Sequence, residues 1–137
     1  MSAAFAQGSQ GLLAALPWVA AGGAIGAVAR FVLVALLPGS AADAFSWGTL
    51  TVNVAGCLAI GALVASSAGS PWFDSFGRPF LVVGVLGAFT TFSAFSMDVL
   101  NLAAHGRMAL AAFYAGATVV LCIAAAAVGH RLAGIWS

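Results

Sequence analysis

Gly87 to Asp98 reads GAFTTFSAFSMD, which sets hydroxyls and rings side by side in an otherwise apolar stretch. Phe89, Phe92 and Phe95 recur at i+3, interleaved with Thr90, Thr91, Ser93 and Ser96. Hydroxyls donate and accept hydrogen bonds. Aromatic rings carry a positive edge, which can accompany a small anion without gripping it as an ammonium does. Gly84 and Gly87 stand before two β-branched threonines, a combination that weakens a helix. A break there frees backbone carbonyls, and at membrane depth these are tolerated only inside protein or along a cavity. Freed carbonyls can also bind a cation.

Three other groups of residues could take part. Thr49, Asn53 and Cys57 fall four apart, on one helical stripe. Asn53 costs several kcal/mol in hydrocarbon unless it is hydrogen-bonded, so it faces protein or water. It reads either as an interhelical hydrogen bond or as an N–H donor to a permeating anion. Tyr114, Thr118 and Cys122 form a second file of the same spacing. That file is either incidental polarity bonded back to helix carbonyls or a track beside a watery groove. Gly22, Gly26 and Arg30 form a third, in which GxxxG spacing suits close helix packing. Arg30 either snorkels to the membrane surface or sets a positive field at the mouth of an anion path.

The elements that hold these residues are membrane helices. The chain of 137 residues is 64% hydrophobic and 5% charged, with a mean hydropathy of +1.14. A soluble domain carries about 25% charged residues, so this surface belongs in lipid. The charges are Arg30, Asp43, Asp74, Arg78, Asp98, Arg107 and Arg131. A net charge of +1 offers no basic patch for nucleic acid. Cys57 and Cys122 lie in apolar runs and read as buried thiols. His105 and His130 have no clustered metal ligands around them. No nucleophile–base pair, metal box or cofactor loop indicates an enzyme.

Stretches of ~20 apolar residues can span a bilayer. They fall at about 17–37, 47–66, 79–102 and 108–129, after a short polar tail over 1–11 that lacks the positive region of a signal peptide. Pro17 is placed in the first turn of the first span. Arg78 and Arg131 lie on one side of the membrane, and Arg107, with Arg30 near its span end, on the other. This near balance gives little orientation signal. It is read either as too few charges to inform or as dual topology, with copies inserted both ways. Two inverted copies also rebuild the inverted repeats of many transporters.

GGAIGAVARF, GTLTVNVAGCLAIG and GAFTTFSAFSMD, in this order and in the first three of four spans, resemble the Fluc family of bacterial fluoride channels, also called CrcB. The resemblance covers nearly the whole chain after the tail. It implies an all-α protein of the bacterial inner membrane, with four helices per subunit and the third one broken. It also implies an antiparallel, dual-topology homodimer in which two pores let fluoride leave the cytoplasm passively and so lower its toxicity. A structural Na+ at the dimer centre would be held by the carbonyls of Gly87 and Thr90 from both subunits. By motif position, the pore residues would be Asn53, Phe92, Phe95 and Arg30. Ser96 belongs to the same proposed pore wall. A polar track on span four would add Tyr114 and Thr118, with Cys122 as its weakest member. The sequence departs from the family pattern at Ala88, Ala94 and Asp98, where Ala94 lacks a hydroxyl and Asp98 shortens an acid.

Two other classes compete. A small dual-topology multidrug or cation exporter also has four short spans, but it needs a membrane carboxylate in span one, where this chain has Arg30. A non-transporting scaffold would use the glycine seams and polar residues for assembly alone.

Overall fold

A computed structural model describes residues 3–38, 44–67 and 69–135, with side chains from residue 11 onward. The chain is helical: α1 (Ala3–Leu36), α2 (Trp47–Ser66), a π-helical segment π1 (Phe73–Leu86), α3 (Gly87–Phe89), α4 (Phe92–Ala104) and α5 (Met108–Gly134). Among the described residues, four stretches are long and apolar enough to cross a membrane: Gly11–Leu36, Trp47–Ser66, Phe73–Ala104 and Met108–Gly134. The third is a composite of π1, α3 and α4. The protein is a multi-pass membrane protein of four spans.

The first and third spans differ from the sequence expectation at their starts. Helix α1 continues back through the residues expected as a tail, so Pro17 lies inside it rather than in its first turn. Alanine, leucine and glutamine on the N-terminal side are strong helix formers, and a proline inside a spanning helix is tolerated when the freed group finds another partner. The third span begins at Phe73, so Arg78 is helical. There Arg78 pairs with Asp74 at 3.5 Å, one turn away, with both side chains mostly exposed. An exposed pair of this kind contributes about 0.3–0.5 kcal/mol. Arg78 also lies over the Phe73 ring, 5.7 Å from its centre.

Spans with the same direction pair most closely: α2 against α5, and α1 against π1. Glycines allow both approaches. A Cβ on Gly26 would strike the Val85 carbonyl, and one on Gly22 would strike that of Phe80. Likewise a Cβ on Gly61 would strike the Ala126 carbonyl, and one on Gly129 that of Leu58. The obstacle in each case is backbone, which cannot rotate aside. Gly26→Ala should therefore destabilise the fold by about 3 kcal/mol, the upper end of ordinary overpacking. Gly23→Ala, with no neighbour within 4 Å, should be neutral or stabilising by up to ~1 kcal/mol. Thermal unfolding of the two detergent-solubilised variants checks this contrast.

The buried core is small and sits where α2, α4 and α5 meet. Leu50, Phe95, Leu102, Ala111 and Tyr114 form one cluster. Large apolar side chains such as Leu36, Phe31, Val120 and Leu132 point outward. That is the arrangement a lipid-facing surface requires.

Candidate ion pathway

The third span breaks at Thr90 and Thr91. Both residues are extended, with φ/ψ of −80°/157° at Thr90 and −152°/114° at Thr91. The last rung before the break is Thr90 N–H to Leu86 O, at 3.0 Å. The next rung would run from Thr91 N–H to Gly87 O. Instead Thr91 N–H donates to Asn53 Oδ1 at 2.7 Å, and Asn53 Nδ2 donates to Thr91 O at 3.0 Å. The Asn53 amide thus takes the place of a missing backbone partner, and the Gly87 carbonyl loses its own.

Local chemistry sets the break from both sides. Thr91 is the N-cap of α4, and its hydroxyl accepts from Ala94 N–H at 3.2 Å, a bond that satisfies an orphan donor of the new helix. Thr90 turns its hydroxyl back to Leu86 O at 2.9 Å. Its methyl group fills the space over Gly56, where a Cβ would collide with it. One face of α2, carrying Asn53 and Gly56, therefore holds both residues of the break.

Beside the break lies a cleft of about 390 Å³ between α2, the third span and α5. Of the residues assigned from the sequence, Asn53, Gly87, Thr90, Phe92, Phe95 and Thr118 line it, together with Cys122, the weakest member of the track. Phe92 is 77% exposed and Phe95 is buried, and their ring centres lie 5.4 Å apart at a tilt of 49°. Among the described residues, no charged side chain lines the cleft. Asn53 is buried; after the bond to Thr91, its second N–H remains for a further acceptor. Among the described residues, Thr118 Oγ1 is the buried side-chain oxygen with no hydrogen-bond partner.

Three assigned residues stand outside the cleft. Ser96 bonds back to Phe92 O at 2.9 Å. Tyr114 is fully buried and donates to Asp98 Oδ2 at 3.2 Å, with Thr49 and Ser46 also in hydrogen-bonding reach. Arg30 is half-buried on α1. The sequence reading left Thr91 and Cys57 out of the site. A threonine one residue ahead of a resumed helix is an N-cap signal, and Cys57 shares a stripe with Asn53.

The two polar stripes read separately in the sequence face each other. Thr49 and Tyr114, Asn53 and Thr118, Cys57 and Cys122, and Gly61 and Ala126 share a single sequence offset. Parallel packing of α2 on α5 brings them into register, with Gly61 close against Ala126 and Gly129 close against Leu58. The resulting seam changes from hydroxyls, through amide and hydroxyl, to two thiols.

A family model described as "CrcB-like protein, Camphor Resistance (CrcB)" matches residues 17–130. The chain belongs to the CrcB family. CrcB relatives include a protein of Idiomarina loihiensis that is 47% identical over 107 residues, 78% of this chain and 82% of its own length. A protein of Magnetococcus marinus is 44% identical, covering 83% and 93% of the two chains. One of Agrobacterium fabrum is 46% identical, covering 83% and 91%. All three are named fluoride-specific ion channel FluC.

Proposed function

We propose that the protein is a fluoride-selective passive channel and that the cleft is a wall of its path. The observation that carries this reading is the Thr118 hydroxyl, buried and unpaired in a ring-lined cleft. A buried polar group without a partner costs about 1–3 kcal/mol. A permeating anion that accepts from it recovers that cost. With the spare N–H of Asn53 and the edges of Phe92 and Phe95, the wall offers donors and positive edges, and no carboxylate to bind a cation. This last point weighs against a multidrug or cation exporter. The names of the CrcB relatives supply the identity of the anion.

The channel is an antiparallel, dual-topology homodimer with two pores. The cleft supports this, because Phe92 stands exposed on its rim, where an inverted copy completes the wall. The freed carbonyl of Gly87 and that of Thr90 beside it fit a hard cation, which takes oxygen ligands. Paired with their counterparts in the second copy, they would hold Na+, which fixes the break and supplies no chemistry to transport. The inner membrane is its site of action, where it lowers fluoride toxicity by letting fluoride run down its gradient.

Flux from proteoliposomes tests the reading. Wild type should release fluoride and retain chloride, and Phe92→Ile should slow fluoride by at least ~10-fold, a change of about 1.4 kcal/mol in barrier. Equal release of both halides, or none of either, rejects the reading.

A further inference from the structure

Cys57 has no assigned part in the anion reading, and Cys122 is only the weakest member of its polar track. They are the two cysteines of the chain, and both are free and half-buried. They come from α2 and α5, yet they meet. One turn further along, Gly61 lets the two backbones touch, so side chains one turn back are drawn together. The two thiols are electrostatic neighbours, and both line the same cleft.

We infer that this pair is a binding site for a thiophilic cation of the Hg(II) class, which takes two ligands in line. Donor softness sets the class: sulfur selects soft metals. Ligand number narrows it. Among the described residues no group of three or more His, Cys, Asp or Glu is placed to share an ion. Zinc, which seeks four ligands, and calcium or magnesium, which seek six or more oxygens, are under-supplied here. An ion satisfied by two sulfurs is not.

The balance of the step also suits the location. Hg(II) displaces one proton from each thiol, both protons pass to water, and no electrons are transferred. The product is a neutral S–Hg–S bridge. Neutrality matters because, among the described residues, the cleft wall carries no charged side chain, and net charge at membrane depth is costly. The bridge ties α2 to α5 and places a heavy ion one turn from Asn53 and Thr118. Occupancy therefore obstructs the path; this consequence, unlike the binding itself, rests on the transport reading.

The test titrates purified protein with mercuric nitrate while ultraviolet thiolate–metal absorbance and maleimide-reactive thiols are followed. Expected are about one Hg(II) per chain and the simultaneous protection of both thiols. Cys57→Ser and Cys122→Ser should each weaken binding by at least ~100-fold, because the second sulfur's high effective concentration is lost. Zn(II) at the same concentration should leave both thiols reactive. Two Hg(II) per chain, independent loss of the thiols, or protection by Zn(II) overturns the assignment. The stoichiometry is read on wild type, so a serine variant that fails to fold does not remove the test. In proteoliposomes, Hg(II) just sufficient for wild type should stop its fluoride efflux and leave each serine variant at its own metal-free rate. Absence of efflux from every sample before metal is added rejects the transport reading, while the absorbance titration still decides the site.

Discussion

Asn53→Ala should reduce fluoride efflux at least ~100-fold, the largest effect expected of any single substitution in the cleft. In the native chain Asn53 both accepts from Thr91 N–H at 2.7 Å and donates to Thr91 O. Alanine removes both bonds, and Thr91 is buried. Two outcomes are open to the chain. The Thr91 N–H stays unpaired, at a cost of about 1–3 kcal/mol, or it reaches back to Gly87 O and restores the helical rung. The second outcome straightens the span, withdraws the Gly87 carbonyl and moves Phe92 and Phe95 out of the wall. A shift of ~3 kcal/mol between the two geometries lowers the ratio of broken to straight forms by about 150-fold. Either outcome damages the path, so efflux falls whichever the chain takes. Amide exchange at Thr91 separates them: fast exchange marks the orphaned donor, slow exchange the healed rung. Efflux at the wild-type rate would mean that the break does not govern transport.

The sequence revealed the break more readily than its cause. Paired β-branched threonines after Gly87 marked a weak point, and the observed break falls on those two residues. What composition could not show is that Asn53, on another helix, supplies the partner that makes the break stable. That is a contact across 38 positions, and no local period carries it. The two polar stripes were legible one at a time, because i+4 spacing reports a face. Their apposition depends on the register of α2 against α5, which the Gly61 and Gly129 contacts set. GxxxG spacing was visible for the Gly22–Gly26 pair, and the structure assigns its partner strip, Phe80 to Val85 in π1. Loose winding over Phe73–Leu86 had no signal in the sequence beyond Gly77 and Pro79. Tyr114 shares the i+4 file of Thr118, and the structure adds what spacing does not carry: full burial and a bond to Asp98.

Thr118→Val tests the cleft from the other direction, because stability and transport should move apart. Valine keeps the shape of threonine and removes the hydroxyl. For a hydroxyl with partners this is destabilising. Thr118 Oγ1 has none among the described residues, so its removal relieves a desolvation cost with no compensating loss. Replacement of an unpaired polar group by an apolar one of the same shape is neutral or stabilising, and the melting temperature should hold or rise. Fluoride efflux should fall by about 10–100-fold, since a hydrogen bond to a charged group is worth ~1.5–3 kcal/mol. Thr118→Ser, which keeps the donor, should retain most of the flux. Proteins commonly hold a strained or unsatisfied group where function requires it, and its removal raises stability at the expense of activity. A variant that is both less stable and less active would place Thr118 in the packing of α5. A stable variant with undiminished efflux would remove its hydroxyl from the path and leave Asn53 and the two rings as the remaining wall.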